Sequence, residues 1–160
     1  MGIRYRPNFK VNDIAKAIYE KVERVENVTL DLLQQIGEQF IIDARSTKTY
    51  KDRTRNLRGS IGYVILKDGE QIFGNFQEPE VIGQRSKGEE PFIGDAVGKK
   101  VAMEVGKSNP NGYVLVVVAG MNYAAYVEAK GYDVLTGSSL SADTNMKRAM
   151  ARLQQRLKAA

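Results

Sequence analysis

Few residues in this 160-residue chain have the chemistry for catalysis. The chain has no His and no Cys, which excludes an imidazole base, a thiol nucleophile, disulfides and cysteine-ligated zinc. Acid–base work would fall to carboxylates, and Glu89, Glu90, Glu104, Glu128 and Asp133 are the candidates. None stands at a spacing from which local structure builds a metal site or an acid–base pair. Ser60 lies in Arg-Gly-Ser-Ile rather than in a Gly-x-Ser-x-Gly elbow. Gly94-Asp95-Ala96-Val97-Gly98-Lys99-Lys100 has the outline of a phosphate loop, but three residues separate its glycines where four are needed. Lys also stands where Ser or Thr would hold magnesium, so the segment reads as a flexible loop entering a strand. An enzyme limited to carboxylate chemistry is thus the least supported class, and no cofactor is expected.

Charge is the stronger signal. Lys plus Arg number 24 against 19 Asp plus Glu, a net charge of +5. Residues 45–58 carry Arg45, Lys48, Lys51, Arg53, Arg55 and Arg58 against Asp52 alone. Such a basic segment binds phosphate backbones by releasing counterions, or faces an acidic partner, or is plain solvated surface. Only Tyr50 interleaves as a stacking residue. Lys147, Arg148, Arg152, Arg156 and Lys158 add positive charge near the C-terminus.

Residues 1–10 read as a basic arm. From Val11 to about Ala44, Ile14, Ile18, Val22, Val25, Thr29, Leu32, Ile36 and Phe40 recur at steps of three and four, one apolar face of a helix. Asn12 or Asp13 is the expected cap. A helix of that length spans about 50 Å, whereas a compact chain of this size is about 40 Å across. It therefore breaks, at Asn27 or Gly37, or another subunit covers its end. Residues 60–67 and 70–76 read as a hairpin through Asp68-Gly69, a dipeptide suited to two positive φ values. Residues 77–98 read as a long loop. A second hairpin is expected from 100–106 and 113–120, with the latter a central strand buried on both faces. At least three of Leu115, Val116, Val117 and Val118 should be buried, together with Ile36 and Leu153. A short helix over 122–130 stops at Gly131, and Met146, Met150, Leu153 and Leu157 line a final amphipathic helix. The predicted fold is α+β, a single domain with an antiparallel sheet of about four strands. No targeting or membrane-spanning segment is visible, which predicts a soluble protein.

Two segments together resemble a known family. Residues 50–61, Tyr-Lys-Asp-Arg-Thr-Arg-Asn-Leu-Arg-Gly-Ser-Ile, are similar to a "D-x-T-G-x-L-R-x-S-I" segment that precedes the family's first strand. Residues 121–132, Met-Asn-Tyr-Ala-Ala-Tyr-Val-Glu-Ala-Lys-Gly-Tyr, resemble its "Y-A-x-Y-V-E-x-G" segment, which follows a buried strand. The family is the neck or tail-completion proteins of long-tailed bacteriophages, also described as head–tail connectors or minor tail components. Arg55 stands where the family usually has Gly, and Gly137-Ser138-Ser139 replaces its proline-containing stretch.

The resemblance implies a non-enzymatic virion protein, a ring between the portal complex of the head and the tail tube. Its partners would be further copies of itself in a cyclic oligomer, most often a hexamer. Portal, adaptor or stopper proteins would meet it on one side, and tail-terminator or tail-tube proteins on the other. The basic residues from Arg45 to Arg58 would face genomic DNA in the lumen or an acidic neighbour. Tyr123, Tyr126 and Glu128 are candidate subunit contacts, since Tyr offers apolar area with a polar tip. The alternative is a soluble nucleic-acid-binding module built on the same basic segment.

Overall fold

One strand carries the core. In β1 (Ile61–Lys67) every residue from Ile61 to Leu66 is buried, because the strand is covered on both faces and paired on both edges. It pairs antiparallel with β2 (Glu70–Asn75) and with β3 (Tyr113–Ala119), giving the order β2-β1-β3. The computed structural model describes residues 10–51, 55–76 and 93–158. In chain order its elements are α1 (Val11–Ser46), α2 (Asn56–Gly59), β1, β2, α3 (Gly94–Gly106), β3, α4 (Ala124–Ala129) and α5 (Thr136–Lys158). The fold is mixed α+β with an antiparallel sheet, as the sequence predicts. The chain divides into two compact units, residues 1–32 and 33–160.

The first hairpin forms at the expected turn. Asp68 and Gly69 both have positive φ, 53° and 83°, the handedness that matches strand twist. Register slips between Ile65 and Leu66, which face Phe73 and Gln71, so Ile72 is the extra residue of a bulge. The second hairpin does not form. Residues 100–106 belong to α3, so the described sheet has three strands, and the loop expected over 77–98 already contains helix from Gly94. Gly94, Gly98, Ala102 and Gly106 recur every fourth residue and form the buried face of α3. A Cβ on Gly98 would lie 2.4 Å from the Ser60 carbonyl oxygen, and one on Gly106 2.7 Å from the Leu66 side chain. Close approach of helix to sheet therefore requires these glycines, of which the sequence pattern places Gly98 in a loop and Gly106 in a strand.

The α3 face of the sheet is a cluster of Val64, Leu66, Ala102, Val116 and Val118, edged by Phe76, Val101, Met103 and Val114. On the opposite face Gly37 of α1 sits against the Tyr63 ring, beside buried Leu33, Ile36, Phe40 and Ile41. Tyr63 donates to Glu38 Oε1 at 2.8 Å, and Asn75 Nδ2 donates to the same oxygen at 2.8 Å. Burial, then the bond to Glu38, pushes the Tyr63 phenol well above its ordinary pKa. The expected position of β3 is corrected. It lies at the edge of the described sheet, with Val116 and Val118 buried but Leu115 and Val117 only partly so. Leu153 is likewise only partly buried, whereas Ile36 is buried as expected.

Residues 11–32 form helix throughout, and α1 breaks at neither Asn27 nor Gly37. Its start is held by Asp13 rather than by a cap at the first position, since the Lys10 amide donates to Asp13 Oδ2 at 3.4 Å. That is half of a capping box. In this unit Val11, Ile14, Ile18, Tyr19 and Val22 are exposed, while from Leu33 onward the apolar positions of the helix include buried ones.

Candidate functional site

The basic segment is built from the end of α1 and the approach to β1. Arg45, in the last turn of α1, donates from Nη2 to the Ile61 carbonyl at 2.7 Å. Burial draws the Arg45 guanidinium below its ordinary pKa, against the opposing pull of Glu38 and Tyr50. Arg58 donates from Nη2 to the Thr47 carbonyl at 2.9 Å, and its guanidinium lies 5.4 Å from the centre of the Tyr50 ring. Tyr50 is buried. Two of the six candidate cations thus lace residues 45–61 together through backbone carbonyls. Arg55 is partly buried with φ 61° and ψ 2° at the N-terminus of α2. Lys48 and Lys51 are exposed, and Arg53 lies outside the described residues.

The second candidate group adjoins this segment. Ser60 ends the turn after α2 and donates to the Leu57 carbonyl at 2.8 Å. The Met121 amide donates to Ser60 Oγ at 3.2 Å, and the Gly120 amide to the Ser60 carbonyl at 3.1 Å. Asn56 Oδ1 receives the Ile93 amide at 2.9 Å. Thr49 Oγ1 donates to the Asp133 carbonyl at 3.0 Å. Ser60 of segment 50–61 and Met121, the first residue of segment 121–132, are therefore hydrogen-bonded at one end of the sheet.

Compared with protein-family models, with curated proteins and with solved structures, the chain gives no match.

Glu128, a candidate subunit contact, is engaged within its own chain. Its carboxylate accepts the amides of Val134, Leu135 and Thr136 at 2.9, 3.0 and 3.1 Å, and the Thr136 hydroxyl besides. Burial, the largest influence, raises its pKa. The Thr136 hydroxyl and the amides of Leu135, Val134 and Thr136 outweigh burial and hold the group below its ordinary value. Asp133 accepts the Gly137 amide at 3.0 Å. Glu128 and Asp133 are thus both engaged by amides leading into α5, a capping role that spacing could not reveal because α5 begins ten residues earlier than its methionines suggest. Gly131 has φ 83°, the left-handed conformation expected of a helix stop.

Tyr126 is 63% exposed, with the Lys130 ammonium 5.2 Å from its ring centre. Tyr123 and Tyr132 are also exposed. Tyr132, which closes the same segment, is a further exposed aromatic beside the two candidates. Glu104 is exposed on α3, and Glu89 and Glu90 lie outside the described residues. Among the described residues no His, Cys, Asp and Glu group could hold a metal ion, and no helix is long and apolar enough to cross a membrane.

Proposed function

We propose that this chain is a structural subunit of a tailed bacteriophage neck, forming a ring that joins or completes the tail at the head. One observation carries the reading. Ser60 and Met121, one from each of the two segments that resemble the neck and tail-completion family, are hydrogen-bonded, and Ser60 also accepts the amide of Gly120 just before the second segment. Arg55 adds to it, because the position where the family has Gly holds a left-handed backbone even with Arg in place. Within this reading Tyr126 and Tyr123 are the aromatic contacts to neighbouring copies. Lys48 and Lys51 are the cations that reach DNA or an acidic partner. Glu128, Arg45 and Arg58 serve by fixing the shape of the surface. Portal-side and tail-side proteins bind the two ends of the ring.

Electron microscopy of phage particles carrying a labelled chain tests this. Label confined to a ring at the head–tail junction is the expected result, and label that is scattered or absent there overturns it. Binding of the free protein to DNA with a steep salt dependence would instead favour the nucleic-acid-binding reading.

A further inference from the structure

The end of the sheet far from Ser60 brings two dipeptides together. Asp68-Gly69 joins β1 to β2, and Asn111-Gly112 leads into β3. The Asp68 amide donates to the Gly112 carbonyl at 3.0 Å, and the Gly112 amide donates to Asp68 Oδ1 at 2.8 Å. Asn111 and Gly112 are exposed and lie outside any helix or strand. Among the described residues the Asn111 side chain has no hydrogen-bond partner. It belongs to the chain's only Asn-Gly sequence. An Asn side-chain carbon and the next residue's amide nitrogen close a five-membered ring, and Gly112 has no Cβ to hinder that approach. Asn109 cannot react in this way, because Pro110 has no amide proton to give up. Asp68 opposes the reaction at Asn111 in two ways. Its hydrogen bond holds the N–H whose proton must leave before the nitrogen attacks. Its carboxylate also stands beside the nitrogen on which negative charge develops, a like-charge contact that raises the barrier.

We propose that Asn111 is a site of spontaneous deamidation and that Asp68 is its brake. The Gly112 nitrogen bonds to Asn111 Cγ as it sheds its proton. The Cγ–Nδ2 bond breaks, and ammonia departs with that proton, leaving a succinimide. Water then opens the ring at either carbonyl, giving aspartate or isoaspartate at 111. Either product adds a carboxylate one residue from the amide that Asp68 holds, and isoaspartate also lengthens the backbone by one carbon at the entry to β3. The modification is independent of the neck reading.

Full-length parent and Asp68→Gly proteins are incubated in mildly alkaline buffer, with and without urea. Fragment mass spectra locate the gain that marks an amide turned to an acid. Isomerisation at Asp68-Gly69 leaves the mass unchanged, so the gain reads asparagine alone. Glycine suits the positive φ of residue 68 and the hairpin turn, and circular dichroism checks that the variant is folded. The gain should appear at residue 111, about 2- to 10-fold faster in folded Asp68→Gly than in the folded parent, the range set by one hydrogen bond. In urea the two should react at one rate. Asp68→Asn tolerates the same φ and keeps an acceptor without the charge, so it should react at a rate between the two; its own gain at residue 68 is read separately. Asn111→Gln, whose ring would need six members, should remove the gain. No gain at residue 111 in either folded protein, over the time in which the urea samples convert, overturns the site. Equal rates in the folded parent and both Asp68 variants overturn the brake.

Discussion

Arg55 holds a backbone conformation that suits glycine. A non-Gly residue in the left-handed region carries a cost of about 1–2 kcal/mol from its Cβ, and Arg55 sits there at φ 61°. Arg55→Gly should raise stability by up to about 1 kcal/mol, read as a higher urea midpoint at unchanged slope; a lower midpoint would assign Arg55 a side-chain role that outweighs the strain. Glu128 is the opposite case, a side chain whose hydrogen bonds define a junction. Its pKa lies below the ordinary 4.5 in the folded state. Its contribution is therefore complete above that value and is lost as pH falls through the depressed folded value. Glu128→Gln should cost about 1 kcal/mol at pH 7, in line with loss of a helix cap. The gap from the parent should narrow as pH drops below 4.5. A gap that stays constant down to pH 2 would show that the charge is not what the amides require.

The two helices packed on β1 were unequally legible. The face of α1 could be read because Ile36 and Phe40 continue the steps of three and four begun at Ile14. Asp68-Gly69 was equally plain, since the dipeptide allows few other turns. The α3 helix was hidden because its buried face is Gly94, Gly98, Ala102 and Gly106, residues with little apolar signal and, for glycine, a helix cost of about 1 kcal/mol each. Their spacing of four was the available clue, and only the approach to Ser60 and Leu66 gives it meaning. The nearly unbroken apolar run Val114–Ala119 suggests a central strand buried on both faces, yet β3 lies at the edge of the described sheet with Leu115 only partly buried. Partner choice by Glu128 was unreadable for a different reason, because its amides come from the far side of a turn. The measured core should follow β1. Leu66→Ala should cost about 2–5 kcal/mol, whereas Leu153→Ala, at a partly buried site, should cost less than half as much. Along α1, Ile18→Ser should change the stability of the dilute monomer by no more than about 0.5 kcal/mol. Ile36→Ala should cost about 2–5 kcal/mol. Urea unfolding of the four variants ranks them, and a large loss for Ile18→Ser would mean that its face is covered within the monomer.

For the whole molecule, the net charge of +5 divides into cations that shape the chain and cations that face outward. Arg45 and Arg58 hold the carbonyls of Ile61 and Thr47, so their loss should act through folding. Lys48 and Lys51 are exposed on the same segment and can be reversed without touching those bonds. In a closed ring each lysine is repeated once per subunit, and a band of positive charge acts over about 8 Å at physiological salt. DNA passing through such a ring, or an acidic neighbour seated on it, would lie within that range. Lys48→Glu with Lys51→Glu should therefore leave the unfolding free energy of the isolated protein within about 0.5 kcal/mol of the parent. In phage particles the same pair should reduce retention of packaged DNA or infectivity, and the reduction should shrink as salt is raised. Arg58→Ala supplies the contrast, since it should lower stability and do so with little dependence on salt. If particles carrying both reversed lysines assemble, keep their DNA and infect at the parental titre, the lysines are solvent-facing charge only. The positive band would then play no part in how the ring meets DNA or an acidic neighbour.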